Sequence, residues 1–414
     1  MSHNVDLNRD STQVLVMSNA QTDTKAMSGV VLTLLPIMAV VLIAFSIIGL
    51  ALPVLPLHVN QDLGLGTFVV GLVTGSQFAA SLVSRVWAGR YADSHGAKRA
   101  VVIGLVTAVA SGGLYLLSLH FRATPALSVS VLIMGRALLG AAESFIITGA
   151  LGWGLALVDH RHAGKVIAWV GMAMFAAFAL GAPAGSLLFD RFGFISIALA
   201  TTVVPLIALL VVARVRAVNA QPKNPQRMSQ VIGAVWVPGL GLAFSSIGFG
   251  AITAFIALLF TEKGWSPLWL AFTAFAVAFI LARVLFGHLP DKLGGAKVAF
   301  VFALIEAAGL ILIWLAPVAE AALAGALLTG AGYSLVFPGL GVEAVRRVPT
   351  QNRALAMGTY TAFLDLALGI STPALGLIAG WDTLGTVFLI SAVLALGCAG
   401  ISVQLIRRSA LVSS

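Results

Sequence analysis

The sequence predicts an all-α polytopic membrane protein with twelve transmembrane helices in two pseudo-symmetric six-helix bundles. Three observations lead to this fold class. The 414 residues are 59% hydrophobic and only 9% charged, which leaves too little polar surface to coat a globule in water. Apolar stretches long enough to cross a bilayer as helix alternate with short polar breaks. Five residues of the first half recur in the second half at one constant spacing.

The composition also excludes several kinds of protein. A soluble enzyme, a nucleic-acid-binding protein and a disordered chain would all need more polar residues. The 43 glycines suit closely packed membrane helices. The single cysteine, Cys398, excludes a disulfide framework and a thiolate metal site. We therefore expect the lipid bilayer, and no nucleic acid, as the surrounding partner.

The helices follow in order from the hydropathy. Residues 1–29 are polar and lack the apolar core of a signal peptide, so they are interpreted as a cytoplasmic N-terminal tail. Beyond them, stretches near the ~20 residues needed to span ~30 Å of hydrocarbon predict twelve membrane helices. These are 31–56, 66–91, 98–119, 126–152, 164–187, 194–214, 231–260, 267–289, 297–316, 321–345, 354–379 and 385–406.

The orientation follows from the basic residues. An even number of helices places both termini on one side, and 18 of the Lys and Arg residues fall on that side against three, Arg122, Arg191 and Lys263, on the other. The other three, Arg85, Arg136 and Arg283, lie within helices. The asymmetry predicts a multi-pass protein of a bacterial inner membrane with both termini in the cytoplasm.

The longest internal polar segment divides the chain in two. Residues 217–230 are predicted to be a cytoplasmic linker between an N-terminal bundle, 30–216, and a C-terminal bundle, 231–408, with a short cytoplasmic tail at 409–414. An internal repeat supports the division. Arg85, Gly89, Asp93, Gly96 and Arg99 recur at an offset of 198 as Arg283, Gly287, Asp291, Gly294 and Lys297. Duplicated six-helix halves are a recurring transporter architecture.

These loops carry a family resemblance. The segment Gly89-Arg-Tyr-Ala-Asp93-Ser-His-Gly96-Ala-Lys98-Arg99 resembles the loop signature of the major facilitator superfamily, and Gly287-His-Leu-Pro-Asp291-Lys292-Leu-Gly294-Gly-Ala-Lys297 resembles its second copy. The resemblance implies a gating latch at these loops. Asp93 or Asp291 would cap a neighbouring helix N-terminus, and the basic residues would hold the hairpin. The alternative is that the loops serve only as tight turns and topology determinants.

Two further segments resemble the same family. Arg136-Ala-Leu-Leu-Gly140 is similar to its arginine–glycine motif in the fourth helix. In the fifth helix, Gly181, Pro183 and Gly185 form a looser version of a motif associated with antiporters, in which Ala182 separates glycine from proline. The resemblance covers residues 31 to about 408 and is closest to bacterial sugar- and drug-efflux carriers. It implies a secondary transporter that works by alternating access as a monomer.

Charges within the bilayer indicate where a substrate would bind. Each costs at least about 2.5–3.5 kcal/mol at mid-membrane, so a lipid-facing position is disfavoured. Arg136 and Glu143 share one face of the fourth helix, which the resemblance places at the central cavity. The expected substrate-binding residues are Arg136, Glu143, Ser46, Ser245, Tyr333 and Phe337. The alternative for Arg136 and Glu143 is a structural ion pair, and for the hydroxyl residues it is helix packing.

A buried carboxylate is expected to carry the coupling proton. Glu143 is separated from Arg136 by ~10 Å of helical rise, so its charge is only partly compensated. Asp365 is the rival, because its neighbouring turns offer hydroxyls and no cation. Glu143 is favoured because Arg136 allows substrate and proton to compete. Separately, Arg283 and Glu306 lie at equal depth on consecutive helices, which predicts a structural ion pair.

No cofactor or metal site is expected. His95, His160, His162 and His288 are scattered over loops and helix ends, and a phosphate-binding loop is lacking. The predicted function is therefore proton-coupled efflux of a small organic solute (a sugar, an organic anion or a drug) and not an enzymatic activity. The alternative is proton-linked uptake of a sugar or carboxylate. A channel, a non-transporting sensor and a lipid flippase are weaker alternatives.

Overall fold

The computed structural model describes residues 33–158, 163–217, 228–348 and 353–413, and their backbone is helical apart from short turns. The predicted tail at 1–29 and most of the predicted linker at 217–230 lie outside these residues. The helix containing the linker's last three residues begins at Met228. The last helix continues to Ser413, so residues 409–413 of the predicted tail are helical.

In the described part of the chain, twelve long helices confirm the predicted fold class. They are α1 Thr33–Asp62, α2 Thr67–His95, α3 Ala97–His120, α4 Pro125–Leu157, α5 Ala163–Phe192, α6 Phe194–Arg214, α7 Met228–Glu262, α8 Leu270–Phe286, α9 Gly295–Leu315, α10 Ala319–Arg346, α11 Arg353–Trp381 and α12 Leu384–Ser413. Eleven of these helices contain a segment long and apolar enough to span a bilayer; α8, with 17 residues, is shorter. Because successive helices alternate in direction, Thr33 and Ser413 lie at one end of the molecule, here called the terminal end. The opposite end is the far end.

The internal repeat is visible in the backbone. Gly96 links α2 to α3 with φ +95° and ψ +146°, and Gly294 precedes α9 with φ +95° and ψ +137°. A positive φ is readily accessible only to glycine, which explains this residue at both positions. The two copies differ just before this glycine. In the first copy α2 continues to His95, whereas in the second copy α8 ends at Phe286 and a short helix, Leu289–Leu293, follows. The interruption is explained by Pro290, which lacks a backbone N–H.

The helices of the two halves pack in the same pattern. In the first half α3 packs on α4 and α6, and α2 packs on α4. In the second half α9 packs on α10 and α12, and α8 packs on α10, which are the equivalent pairs six helices later. Among the contacts that join the halves, α2 packs extensively against α11, and α5 packs against α8. We call these the α2–α11 seam and the α5–α8 seam.

Candidate functional site

The α2–α11 seam is closed toward the far end. The Thr67 hydroxyl donates a hydrogen bond to the Gly376 carbonyl at 2.7 Å, and the Thr372 hydroxyl donates one to the Gly71 carbonyl at 3.1 Å. Gly71 approaches Thr372 so closely that a Cβ there would overlap its carbonyl oxygen. Backbone contact of this kind needs small residues, so the glycines of α2 and α11 allow the seam to close.

Aromatic rings close the α5–α8 seam. Phe175 of α5 stacks on Phe279 of α8 with centroids 3.6 Å apart and an interplanar angle of 14°. Behind them, Phe249 of α7 lies parallel to Tyr333 of α10, with centroids 5.5 Å apart. We call Phe175, Phe249, Phe279 and Tyr333 the aromatic cluster. All four rings are buried, and the cluster joins helices of both halves.

The central helices show that the halves separate toward the terminal end. Every residue of α1 from 47 to 59 and of α7 from 248 to 260 is buried, so both helices are enclosed on all sides in their far-end halves. In the terminal half of α7, residues 232, 233 and 236 are exposed. A Cβ added at Gly89 of α2 or Gly358 of α11 would meet no atom within 4 Å. We infer from these features that the space between the halves opens at the terminal end, and we call this space the inlet; the far end is closed.

An ion pair crosses the α2–α11 seam at the depth where close contact ends. Arg85 Nε donates to Asp365 Oδ2 at 2.8 Å, and its Nη2 also faces this oxygen and the Ser81 hydroxyl. The Asp365 side chain is 3% exposed and that of Arg85 is 20% exposed. The pair thus links the two halves through charges that bulk water hardly reaches.

A second carboxylate lies beside this pair. Gln77 of α2 donates to Glu143 of α4 at 2.7 Å, and Glu143 is near enough to Arg85 and Asp365 to interact with them electrostatically. Gly140 brings the two helices together, because a Cβ there would overlap the Gln77 carbonyl oxygen. We call Gln77, Arg85, Glu143 and Asp365 the charge network.

Sequence reasoning found only part of this network. It identified Glu143 and Asp365 but described Asp365 as lacking a cation, which is wrong because Arg85 supplies one. Gln77 was missed, and so was the pairing of Ser81 with Ser144, whose hydroxyls are 3.0 Å apart. Arg85 could have been found, because an intramembrane arginine needs a compensating acid as much as an intramembrane aspartate needs a cation.

Arg136 does not open onto the inlet as expected. Its residue exposure is 1%, Nη1 is 3.4 Å from the Tyr115 hydroxyl, and Nε has no partner among the described residues. The reason is close packing on both sides: Gly135 admits the Tyr115 ring of α3 and Gly140 admits the backbone of α2. These contacts close over the guanidinium, so Arg136 belongs to the interior of the first half in this conformation.

The predicted Arg283–Glu306 ion pair is wrong. Glu306 is fully buried and accepts a hydrogen bond from Ser245 of α7, whereas the Arg283 guanidinium lies 5.3 Å from the centre of the Phe279 ring. Equal depth on consecutive helices does not bring these side chains together, because α10 packs against both α8 and α9. Gly332 of α10 lies directly against the Glu306 backbone.

The remaining candidate substrate residues occupy different places. Tyr333 is in the aromatic cluster, and its hydroxyl is 3.4 Å from that of Ser246. Phe337 is partly exposed, one turn nearer the terminal end, and its carbonyl accepts a hydrogen bond from Tyr360. The Ser46 hydroxyl donates to the Ile43 carbonyl of its own helix at 2.7 Å. Ser245 binds Glu306 and is buried.

The loop residues lie at the terminal end. Neither Asp93 nor Asp291 caps the helix that follows it, since the N-caps are Gly96 and Gly294 without a side-chain hydrogen bond. Capping of another neighbouring helix stays a prediction. Lys98 has a defined partner: its ammonium donates to the carbonyls at the end of α6, at 2.7 Å for Val215. The other loop residues are Gly89, Arg99, Gly287, Lys292 and Lys297, and any gating role for them stays a prediction.

The helix-five motif packs within the first half. A Cβ at Gly181 would come within 2.8 Å of the Gly49 backbone, and one at Gly185 would overlap the Leu50 carbonyl oxygen. Pro183 lies between them, inside α5. The motif therefore sets how closely α5 approaches the enclosed part of α1.

Two related six-helix halves, an inlet from one end and charges at the seam define the class of a two-bundle membrane transporter. The sequence profile of the Major Facilitator Superfamily matches residues 37–272 and again 239–410, so nearly the whole chain is covered. The chain belongs to the major facilitator superfamily.

Relatives of known sequence agree with this assignment. The chain is 44% identical over 379 residues to the uncharacterized MFS-type transporter STM4428 of Salmonella typhimurium, covering 91% of this chain and 97% of that one. It is 41% identical over 349 residues to the uncharacterized MFS-type transporter YhhS of Escherichia coli K12, covering 84% and 86%.

Solved structures share the fold at low sequence identity. A bacterial homologue of the human lysosomal transporter Spinster, inward-facing and unoccupied, has a TM-score of 0.68 at 14% identity and covers 91% of this chain and 97% of its own. The D-xylose–proton symporter has a TM-score of 0.71 at 15% identity, with 90% of this chain and 96% of the symporter chain covered. The POT family transporter PepTSo gives 0.74 at 12% identity, with 92% and 98% covered.

Proposed function

We propose that this transporter exports a small organic solute across a bacterial inner membrane in exchange for protons, by alternating access. The observation that carries the proposal is the Arg85–Asp365 ion pair across the α2–α11 seam, with Glu143 beside it. When the halves rock apart at this seam, Asp365 loses its cation. A proton is then the simplest compensation for the carboxylate, so protonation and conformation become linked.

Glu143 and Asp365 are the proposed proton-coupling residues, and the solute occupies the inlet. Glu143, Phe337 and Ser46 are each partly exposed, and Tyr333 belongs to the aromatic cluster at the closed end of the inlet. A solute held there contacts both halves, so its binding can bias their relative position. The chain acts as a monomer and uses no cofactor in this proposal.

One feature supports the orientation of the protein, and another supports exchange of the solute for protons. The excess of basic residues on the terminal side supports a cytoplasmic inlet and cytoplasmic termini. The helix-five motif at Gly181, Pro183 and Gly185 is similar to one associated with antiporters. The alternative is proton-linked uptake, which the fold equally permits: one solved neighbour is a D-xylose–proton symporter.

The test is transport in proteoliposomes. A thermal-stability screen of sugars, organic anions and amphiphilic drugs first identifies a stabilising probe, which is then followed with an imposed pH gradient. Wild-type protein should accumulate the probe against its gradient, whereas Glu143→Gln or Asp365→Asn should retain only downhill counterflow. Glu320→Gln, which neutralises an exposed carboxylate at the far end, is the matched control and should behave as wild type.

Two results would contradict the proposal. If both carboxylate variants still accumulate the probe and respond to pH, neither residue carries the proton. If the probe moves down its gradient without counterflow, the protein is a channel.

The orientation of the protein in the membrane is tested separately with Asn224→Cys and Lys263→Cys in intact cells. An impermeant thiol reagent should label only the latter, and labelling at position 224 would reverse the topology.

A further inference from the structure

Arg283 is the counterpart of Arg85 in the second half but lacks its compensation. The two arginines are related by the repeat offset of 198, so they occupy equivalent positions on α2 and α8, one at each seam. Across the α2–α11 seam, Asp365 neutralises Arg85. Across the α5–α8 seam, the sequence of α5 contains no carboxylate before Asp190, which is near its far end. The duplicated halves are thus asymmetric in charge.

The immediate surroundings of Arg283 do not supply an anion either. Among the described residues its guanidinium makes no ion pair or hydrogen bond and lies over the Phe279 ring. The ionisable groups nearest to it are the phenols of Tyr333 and Tyr360, which are neutral at working pH and supply no negative charge. The Tyr360 hydroxyl donates to the Phe337 carbonyl, at 2.9 Å. Within the residues that the structure describes, Arg283 is therefore a cation inside the membrane without a compensating anion.

A cation at this depth is costly unless an anion or water stabilises it. Arg283 is partly exposed, in contrast to Arg136, which is enclosed by protein. It lies nearer the terminal end than the aromatic cluster, on the side from which the inlet is open. An anionic group that enters from the terminal end would meet Arg283 before it meets the aromatic cluster.

The aromatic cluster indicates what the rest of such a ligand looks like. Phe279 is one helical turn from Arg283 toward the far end, and Phe175 stacks on it from the other half. A ligand whose charge lies at Arg283 would place its body against these rings. Flat apolar groups pack well there, through offset or edge-to-face contacts.

We propose that Arg283 is the anion-recognition residue of the transport site and that the substrate is an organic anion with an aromatic or other flat apolar body. This inference rests on the proposed function and narrows its substrate class. It reassigns the positive charge of the site from Arg136 to Arg283. The ligand then contacts Arg283 in the second half and Phe175 in the first, so it bridges the seam opposite the Arg85–Asp365 pair.

The test uses probes that differ only in charge. Naphthalene-2-sulfonate remains anionic at all working pH values, and naphthalene-2-sulfonamide is its neutral analogue. With the purified full-length protein in detergent, the sulfonate should raise the melting temperature and the sulfonamide should not. Arg283→Gln should weaken sulfonate binding by at least about tenfold, Arg283→Lys by less, and Arg122→Gln, which removes an exposed far-end cation, should leave it unchanged.

The wild-type protein alone can overturn the inference, even if an Arg283 variant fails to fold. Equal stabilisation by sulfonate and sulfonamide, or none by the sulfonate, would refute it, as would unchanged binding in Arg283→Gln. These failures are distinct from failure of the proposed function. If a sugar or a cationic drug shows proton-driven accumulation while the sulfonate does not bind, the transporter assignment stands and only the anion assignment falls.

Discussion

Neutralising either member of the Arg85–Asp365 pair should destabilise the contact between the two halves. The charges are about 4 Å apart in an environment with an effective dielectric constant near 20, which gives an attraction of about 4 kcal/mol. Removing one member of a buried pair costs about 3–5 kcal/mol, because the other charge is left uncompensated. The Arg85 side chain keeps 20% exposure and Asp365 only 3%. Arg85→Gln leaves the buried Asp365 charge alone, so we expect it to lower the free energy of unfolding by about 3 kcal/mol. Asp365→Asn leaves the more exposed Arg85, so we expect it to lower the free energy of unfolding by about 2 kcal/mol.

The assay is a double-mutant cycle on reversible unfolding in mixed SDS micelles. The loss in the free energy of unfolding should be smaller for the double variant than the sum of the losses for the two single variants, with a coupling energy of about 2 kcal/mol. Glu343 in the last turn of α10 and Arg347, the residue that caps its C-terminus, face each other at 3.5 Å and form the matched control pair. Their coupling should be about 0.5 kcal/mol or less. Strictly additive losses for Arg85 and Asp365 would refute the reasoning.

Four further variants test three other contacts by the same unfolding measurement. Gly140→Ala should lower the free energy of unfolding by about 2 kcal/mol, because its Cβ would overlap the backbone of α2. Gly89→Ala is the control and should change it little, because the structure leaves open space there. Equal effects of the two variants would contradict the packing of α4 on α2. Lys98→Met should lower the free energy of unfolding by about 1 kcal/mol, because it removes the hydrogen bonds to the carbonyls at the end of α6. An unchanged free energy of unfolding would show that these hydrogen bonds are not formed. Glu306→Gln should stay within about 1 kcal/mol of wild type, because its amide oxygen can still accept the bond from Ser245 and no cation is left unpaired; a loss near 4 kcal/mol would favour a hidden ion pair.

The fold could be predicted from the sequence because each helix carries its own signal. Apolar length predicts a membrane helix locally, and the repeat at Gly96 and Gly294 predicts the duplication without knowledge of packing. The residues at which individual helices end were less well predicted. The fifth helix continues to Phe192, where 187 was expected, and α8 ends at Phe286, where 289 was expected, because Pro290 interrupts it.

The site was less predictable, because its contacts join residues far apart in the chain. Arg85 and Asp365 are separated by 280 positions, and no local pattern specifies their pairing. Conversely, Arg283 and Glu306 are near in sequence but lie on helices separated by α10. Helix order predicts which charges lie at the same depth, whereas helix packing determines which of them meet.

The central claim is that the two halves alternate between an inlet at the terminal end and one at the far end. Spin labels on Ser94→Cys and Lys292→Cys report the terminal end, and labels on Ala123→Cys and Pro317→Cys report the far end; all four positions are exposed, and Cys398 is buried. Double electron–electron resonance in nanodiscs, over a range of pH and with the stabilising probe, should show the terminal distance shortening as the far distance lengthens. Distances that change in the same direction, or a far end that stays closed under every condition in which transport is measured, would contradict the account.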